Sequence, residues 1–370
     1  MEFEKDYLDW IKEVFQFYYI YLKEKEWEKT LMKHTPKESR LRKEYEECIK
    51  KVKEYYAEIK KNLEIDEERI QYMFQSFSKD SKCVEANIAG LSLLCYDELH
   101  EKSWDEYYEK IRSMTEKEKI ETYITILENF EEELKEDEIP QDFNTFVLYL
   151  QNSQFDKEIC WNILQVFMNQ ETYFEETVEI IKKTIRVMQL VGKKYLPYFL
   201  NKFEENWIRQ YDNNSIMDYI QETLKLSWRK NPNGNRMVMS ILFPVSFSIE
   251  LKSDKKLITP DIIRIGCAYT KDLPFSEIKD TKESIRALGK ILGDKSKLDI
   301  IECIGNEQAY GKELAKKLGL TTATISYHIS SLVDEGLVII NVKSGRVYYQ
   351  LNKEEFCERL ERIKQYLNQL

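Results

Sequence analysis

The sequence predicts a mainly α-helical fold, with a large N-terminal helical region, a small β segment and a C-terminal unit of helices and a hairpin. Composition supports this prediction, because only 11 glycines and 7 prolines interrupt 370 residues that are rich in Glu, Lys and Leu. Periodicity supports it too, since apolar residues recur at steps of three and four along most of the first 230 residues. With 42% apolar and 13% aromatic residues the chain can bury a sizeable core, and its length indicates two or three domains.

Two heptad-spaced apolar seams open the chain. The first predicts one helix over Glu2–Thr30, and the second repeats its alternating steps of four and three. His34-Thr35-Pro36 separates them, so they are predicted to form an antiparallel helical hairpin. This hairpin is either a dimerisation or docking arm, or two ordinary helices of one bundle. The seam residues are Phe3, Tyr7, Trp10, Val14, Phe17 and Tyr21, then Leu41, Tyr45, Cys48, Val52, Tyr55 and Ile59.

The pattern stays helical up to the middle of the chain. Thr115 and Glu118 fit a capping box at a helix N-terminus. Asp156 is predicted to cap a long helical region. Further helices are predicted over Tyr195–Tyr211 and Ser215–Trp228. No repeat of fixed period is found, so a helical solenoid is not supported.

A turn-rich stretch, Asn231–Asn235, marks the change to a small β segment. After it, Met237–Leu251 and Ile262–Tyr269 are rich in apolar and β-branched residues and predict two or three strands. Lys271–Asp280 contains a proline and is the predicted linker. The predicted domains are therefore residues 1–230 for the helical region, 231–275 for the β segment and linker, and 280–370 for the C-terminal unit.

The C-terminal unit is predicted to begin with two helices, Asp280–Leu292 and Lys297–Ile304. Residues 308–351 then predict a short helix, a tight turn, a second helix and a hairpin. Gly319 fits the left-handed position that ends the short helix, and Thr321 fits the N-cap of the next one. This succession is the winged helix-turn-helix plan.

The second helix of this plan, residues 321–335, has two different faces. Ile325, Ile329 and Leu332 share one face and are predicted to be buried. The other face is hydroxyl-rich, and no acidic residue occurs from 321 to 333, which suits a helix that approaches phosphates. The predicted DNA contacts are Thr322, Thr324, Ser326 and Tyr327 toward the bases, Thr321 and His328 toward phosphate, Ser331 on the same hydroxyl-rich face, and Lys343 and Arg346 on the wing, residues 337–351.

Residues 283–367 resemble the DNA-binding domain of the ArsR family of bacterial transcription repressors. The resemblance is carried by LAKKLGL at Leu314–Leu320, T-x-S-Y-H-I at Thr324–Ile329, L-x-x-x-G-L-V at Leu332–Val338 and GRVYYQL at Gly345–Leu351. It implies a dimeric winged-helix protein that binds operator DNA and responds to an inducer. It also implies that the first and last helices of the domain build the dimer interface.

Metal-sensing members of that family carry a cysteine pair that would fall at Tyr310 and Lys312 in this sequence. Neither side chain supplies a thiolate for a soft metal. Other members use ligands on the last helix, but Lys353–Leu367 contains no histidine. The resemblance therefore implies a non-metal member without a cofactor, whose effector the sequence does not identify.

The formal net charge of −10 is unevenly distributed. From Lys282 onward there are 14 Lys and Arg against 12 Asp and Glu, a balance of +2. The preceding 281 residues hold the other 42 cations and 54 acids, a balance of −12. An acidic N-terminal region is expected to be repelled by the DNA polyanion and to suppress non-specific binding.

Other sequence features narrow the class of protein. Seven scattered cysteines without a C-x-x-C are expected to be buried free thiols, with a redox pair assembled by folding as the alternative. No signal sequence or membrane-length apolar run is found, so a cytoplasmic protein is expected. His34 and His100 lack companion ligands, and no nucleotide-binding or hydrolase motif occurs, so neither a metal site nor an enzyme is expected.

The sequence therefore predicts a transcriptional repressor that binds operator DNA as a homodimer through the recognition helix 321–335 and the wing 337–351. The N-terminal helices are predicted either to sense a non-metal effector in an aromatic pocket or to mediate assembly. The alternative function is a winged-helix protein-interaction or scaffold module without sequence-specific DNA binding.

Overall fold

The structure is a computed structural model, and it describes residues 7–36, 39–77, 85, 87–94, 104–128, 140–153, 156–209, 218–219, 236–254, 257–270, 281–343 and 346–367. Within these residues the fold is mainly α-helical, as predicted, and it contains two small three-stranded sheets. The third strand of the C-terminal sheet was not predicted, because only a hairpin was expected there. The chain divides into two compact units. The helical unit consists of Asp9–Lys33 and Ile49–Pro197, and the other unit consists of Met1–Leu8, His34–Cys48 and Tyr198–Leu370. The domain boundaries predicted near residues 230 and 280 lie outside the described residues and stay predictions.

Ten of the described helices precede the first strand. They are α1 (Trp10–Leu22), α2 (Glu24–Lys33), α3 (Ser39–Asn62), α4 (Glu67–Phe74), α5 (Ile88–Leu93), α6 (Trp104–Ser113), α7 (Glu116–Glu128), α8 (Phe143–Asn152), α9 (Lys157–Met168) and α10 (Gln170–Phe203). A π-helical turn, Glu204–Ile208, follows α10.

The first predicted helix is two helices. The Asp9 carboxylate accepts from the Lys12 N–H at 3.0 Å and caps the start of α1. At Lys23 the backbone leaves the helical conformation, with φ −131° and ψ 38°, and the Lys23 N–H is shared between two carbonyls of the last turn. The prediction of one continuous helix over Glu2–Thr30 was therefore wrong, because no proline or glycine marks this break.

Most of the described seam residues are buried, those from Trp10 to Tyr21 and from Val52 to Ile59 in the helical unit and Tyr45 and Cys48 in the other unit. Val14 and Phe17 of the first seam, and Val52, Tyr55 and Ile59 of the second, are at most 1% exposed. Aromatic contacts join the helices that carry them, since the ring of Phe17 is 5.5 Å from a tyrosine ring on α3. This burial favours the interpretation of the seams as ordinary core-packing helices, because none of their described side chains is exposed.

Helix α10 carries buried hydroxyl groups that are satisfied across the helical unit. The Thr184 hydroxyl is 2.8 Å from the Tyr18 hydroxyl, and the Thr177 hydroxyl is 2.7 Å from that of Ser92. Burial raises the pKa of Tyr18 to about 12. Because each buried hydroxyl has a partner, the polar groups fix the packing of α10 rather than weaken the core.

The two predicted helix N-termini differ in whether the capping hydrogen bonds form. The capping box is confirmed, since the Glu118 carboxylate accepts from the Thr115 N–H at 2.8 Å and the Thr115 hydroxyl accepts from the Glu118 N–H at 3.3 Å. Asp156 occupies the N-cap position of α9, as predicted, but its side chain makes no capping hydrogen bond. Helix α10 also continues through Pro197, beyond the start of the helix predicted from Tyr195.

The small β segment is a three-stranded sheet, as predicted. Its strands are β1 (Arg236–Ser240), β2 (Phe247–Asp254) and β3 (Leu257–Gly266). The central strand β3 pairs parallel with β1 and antiparallel with β2. Leu8 forms a parallel bridge with Met239, whose N–H donates to the Tyr7 carbonyl at 2.7 Å.

The C-terminal elements follow the winged helix-turn-helix order. They are α11 (Thr281–Leu292), α12 (Lys295–Asn306), β4 (Ala309–Tyr310), α13 (Gly311–Leu318), α14 (Thr322–Asp334), β5 (Val338–Lys343), β6 (Arg346–Leu351) and α15 (Lys353–Leu367). The sheet order is β4-β6-β5. One apolar core joins these elements, and its most deeply buried members are Leu288, Ile300, Ile304, Leu314, Ile325, Leu332 and Leu337.

Candidate nucleic-acid interface

The turn between α13 and α14 has the backbone geometry that the sequence predicts. Gly319 adopts the left-handed conformation with φ 65°, and the Leu320 N–H donates to the Ala315 carbonyl at 3.1 Å. The Thr321 hydroxyl then accepts from the Thr324 N–H at 3.1 Å and caps α14. A glycine and a threonine thus set the angle at which α14 leaves the turn.

One face of α14 is fixed in the domain core. Ile325, Ile329 and Leu332 are at most 3% exposed, as their spacing predicts. Burial of three such side chains contributes about 1.5–3 kcal/mol each, so the rotation of α14 about its axis is strongly determined. The opposite face must then point away from the core.

Ser326 and Tyr327 are the exposed members of the predicted contact set on α14. The Tyr327 side chain is 61% exposed, which is unusual for a large aromatic residue on a helix with an apolar inner face. Thr322 and Thr324 are half-buried near the start of the helix. The hydroxyl of Thr324 is 2.8 Å from that of Thr321, so these two threonines form one polar cluster at the N-terminus of α14.

His328 and Ser331 face helix α12 instead. The His328 side chain is only 12% exposed, and its Nδ1 lies 3.9 Å from the Asp294 carboxylate. The Ser331 hydroxyl accepts from the Lys297 ammonium at 2.9 Å. Asp294 also caps α12 by accepting from the Lys297 N–H at 3.1 Å. These contacts connect the first turn of α12 to the side of α14.

Asp294 and Lys297 were not singled out in the sequence. Both precede the helix-turn-helix by more than a dozen residues, and only the packing of α12 against α14 brings them to this place. Residues 294–297 read Asp-Lys-Ser-Lys, which is a helix N-cap residue followed by two cations. This pattern is the local sequence signal that indicates a charged helix start at this place.

The wing is a regular antiparallel hairpin. Strand β5 pairs with β6 from Val338 opposite Leu351 to Lys343 opposite Arg346. Two residues, 344 and 345, connect the strands and lie outside the described residues, as do the side chains of Lys343 and Arg346. The backbone register nevertheless places these two predicted DNA-contacting cations across from each other at the end of the hairpin.

A buried arginine ties the last helix to the end of α14. The Arg359 side chain is 8% exposed, and its guanidinium donates to the Glu335 carboxylate at 3.0 Å and to the Glu355 carboxylate at 2.7 Å. It also donates to the Glu335 backbone carbonyl. Because Glu335 is the C-cap of α14, this cluster holds α15 against the terminus of that helix.

Asn352 closes the base of the wing at the same corner. Its side-chain amide donates to the Gly336 carbonyl at 3.1 Å, and its backbone N–H donates to the Leu337 carbonyl at 2.8 Å. Gly336 has φ 70°, a left-handed conformation that lets the chain turn from α14 into β5. The helix, the wing and α15 are therefore connected by hydrogen bonds at one point.

The helical unit contains an open groove of about 500 Å³. Tyr108 stacks on Phe174 with ring centroids 5.1 Å apart, and the Arg112 guanidinium lies 4.3 Å above the Tyr108 ring. Most other aromatic side chains of this unit fill its core, for example Phe15, Tyr55 and Tyr123. Most aromatic side chains of this unit therefore serve core packing, and a few of them line this groove.

Residues 294–339 match the family described as "Bacterial regulatory protein, arsR family". This chain is 33% identical over 63 residues to the arsenical resistance operon repressor of Staphylococcus aureus, covering 17% of this chain and 61% of the relative. It is 32% identical over 65 residues to the protein of the same name from Staphylococcus xylosus, covering 18% of this chain and 62% of that relative. The ArsR-like resemblance predicted for the C-terminal unit is confirmed for this segment.

The match leaves most of the chain without a counterpart. This chain spans about three-fifths of the length of the two curated relatives. No solved structure matches the chain. Both relatives are named as repressors. Among the described helices, none combines the length and the apolar character required to cross a membrane.

Proposed function

We propose, from the arsR-family match of residues 294–339, that this protein is a transcriptional repressor that binds operator DNA through helix α14 and the β5–β6 wing. The observation that carries the proposal is the exposure of Ser326 and Tyr327 on a helix whose inner face is locked in the core. A rigid helix with an exposed hydroxyl-bearing face and no carboxylate before residue 334 suits the major groove of a duplex.

The exposed face of α14 suggests which of its side chains would contact the DNA bases. Ser326 and Tyr327 would reach base edges, with Thr322 and Thr324 beside them at the helix N-terminus. The hydroxyl groups of these side chains both donate and accept, so each discriminates less sharply than a bidentate Arg or Asn. We therefore propose that sequence preference depends strongly on DNA shape and deformability.

The predicted contacts of His328 and Ser331 are revised in this proposal. Both side chains contact the first turn of α12, so we assign them to orienting α14, in place of the phosphate contact predicted for His328 and the DNA contact predicted for Ser331. Lys297 reaches the same place and adds a cation near the helix, where a phosphate could be held. Thr321 remains proposed as a phosphate contact, and Lys343 and Arg346 remain proposed for the wing.

We propose that the dimer forms through α11 and α15. Leu292 on α11 is 37% exposed and Leu360 on α15 is 43% exposed, although both helices pack against the domain core with their other faces. None of the described residues of the N-terminal seams is exposed, so these residues offer no comparable surface. A dimer places two recognition helices on successive turns of a duplex, which doubles the contact.

The N-terminal region is proposed to respond to a non-metal effector or to mediate assembly. Tyr310 is the N-cap of α13 and Lys312 lies in its first turn, and neither residue type replaces the cysteines of metal-sensing relatives. The groove beside Tyr108 and Phe174 is lined by aromatic and charged side chains and is the place where an effector would be sought. The charge of −12 on the first 281 residues favours keeping this region away from DNA.

Truncating the Tyr327 side chain tests whether the exposed face of α14 contacts the DNA bases. Tyr327→Ala is expected to weaken binding to a selected duplex about 10- to 100-fold, because a base contact is worth roughly 1–3 kcal/mol. The dependence of affinity on salt should stay unchanged, since no phosphate contact is removed. Trp161→Ala is the matched control, because Trp161 is a similarly exposed aromatic at 59%, outside the winged-helix elements. If Tyr327→Ala and the unsubstituted protein bind DNA with equal affinity in an electrophoretic mobility shift assay, this face of α14 does not contact the bases.

A further inference from the structure

Two buried cysteines from distant parts of the sequence meet in the unit that contains the sheet. Cys48 lies on α3 and Cys267 directly follows β3, 219 residues later. Their sulfur atoms are 3.9 Å apart, and the Cys48 sulfur is 3.8 Å from the Cys267 carbonyl. The side chains are 1% and 3% exposed, respectively. The sequence alone left open whether folding assembles such a pair.

Regular structure holds both sulfurs in place. The Cys267 N–H donates to the Ser240 carbonyl at 2.8 Å, which extends the pairing of β3 with β1 by one residue. Beside it, Gly266 lies so close to Pro244 that a Cβ would meet the proline carbonyl at 2.3 Å. Since a disulfide has an S–S distance of about 2.05 Å, the sulfurs need to approach each other by about 1.9 Å. Rotation of the two cysteine side chains is a smaller structural change than a shift of the backbone that carries either of them.

A small, partly enclosed crevice with a mainly apolar lining borders the pair. Its lining includes Tyr45, Lys202 and Thr270 together with the two cysteines. The Thr270 hydroxyl oxygen is buried and makes no hydrogen bond within the part of the chain that the structure describes. A small polar molecule that accepts or donates a hydrogen bond would satisfy that hydroxyl.

We propose that Cys48 and Cys267 form a dithiol that a hydroperoxide converts reversibly into a disulfide. One thiolate attacks a peroxide oxygen, the O–O bond breaks, and the hydroxide that leaves takes up the thiol proton to give water. The other sulfur then displaces the hydroxyl of the sulfenic acid, the S–S bond forms, and a second water leaves with the remaining proton. Two electrons pass from the two sulfurs to the peroxide. A dithiol reductant reverses the reaction by thiol–disulfide exchange.

Peptide mapping of the full chain tests this site. The protein is treated with hydrogen peroxide, free thiols are alkylated under denaturing conditions, and the digest is analysed by mass spectrometry. We expect a cross-linked peptide pair containing Cys48 and Cys267, a loss of about 2 Da, and restoration of both free thiols by dithiothreitol. Cys357→Ser is the control, because Cys357 is exposed and its removal should leave the cross-link intact.

Two outcomes would overturn the proposal. In the first, both thiols stay open to alkylation at a peroxide concentration that oxidises Cys357. In the second, each sulfur is oxidised separately to the sulfinic acid without a cross-link. Cys267→Ser adds an independent readout, since Cys48 should then stop at a sulfenic acid that dimedone traps. If the Cys267→Ser variant does not fold, peptide mapping of the unsubstituted protein still tests whether Cys48 and Cys267 form the cross-link.

Discussion

Arg359→Ala is expected to lower the free energy of unfolding of the winged-helix part by about 3 kcal/mol, because it leaves two carboxylates without their partner in a mostly buried place. The Arg359 side chain is 8% exposed, and Glu335 and Glu355 are 16% and 29% exposed. The guanidinium also satisfies the backbone carbonyl at the end of the recognition helix. The variant should therefore lower the midpoint of thermal unfolding by roughly 10 °C.

Hydrogen exchange locates that loss. Peptides from α15 and strand β6 should exchange faster in Arg359→Ala, while peptides from the helical unit should keep their protection. Arg42→Ala is the matched control, because Arg42 pairs with Glu46 at 2.8 Å in the same compact unit but both side chains are more than half exposed. A pair in solvent contributes little, so no change is expected there. If Arg359→Ala unfolds at the same temperature as Arg42→Ala, the buried cluster does not hold the domain together.

Leu360→Glu is expected to dissociate the proposed dimer and to weaken operator binding by about 100-fold or more, since each half-site is then bound by a separate molecule. Leu360 is 43% exposed, so a carboxylate at this position is solvated in the single chain and should not unfold it. Within a dimer interface the same carboxylate would be buried opposite its symmetry mate, which is strongly unfavourable. Sedimentation velocity and binding titrations measure the two effects.

The control for this substitution is an exposed leucine of the helical unit. Leu190 is 64% exposed, and Leu190→Glu should leave both the sedimentation coefficient and the affinity unchanged. A Leu360→Glu protein that sediments as the unsubstituted protein does, at micromolar concentration, would remove α15 from the proposed interface.

Local signals explain why the helix-turn-helix was predictable. Gly319 and Thr321 each act within four residues of their own position, and the burial of Ile325 and Leu332 follows from helical spacing alone. The break at Lys23 carried no such signal, because its cause is not a glycine or proline. Seams and strands were therefore located better than the ends of individual helices.

Contacts between distant segments were not predictable in the same way. The bond from Lys297 to Ser331 and the approach of Asp294 to His328 depend on how α12 packs against α14. That packing changes the interpretation of two predicted DNA contacts, because a histidine and a serine that look exposed by spacing are engaged by another helix. The meeting of Cys48 with Cys267 across 219 residues is of the same kind.

Selection of bound sequences from a random duplex library by the full chain, at about 0.15 M salt, measures directly whether the winged helix reads DNA. We expect an enriched pseudo-palindrome whose half-sites lie about 10 base pairs apart or a multiple of that spacing, and loss of the enrichment when Ser326 and Tyr327 are both replaced by alanine. Recovery of no preferred sequence by the unsubstituted protein would contradict the proposed function and would favour a winged-helix module that binds other proteins.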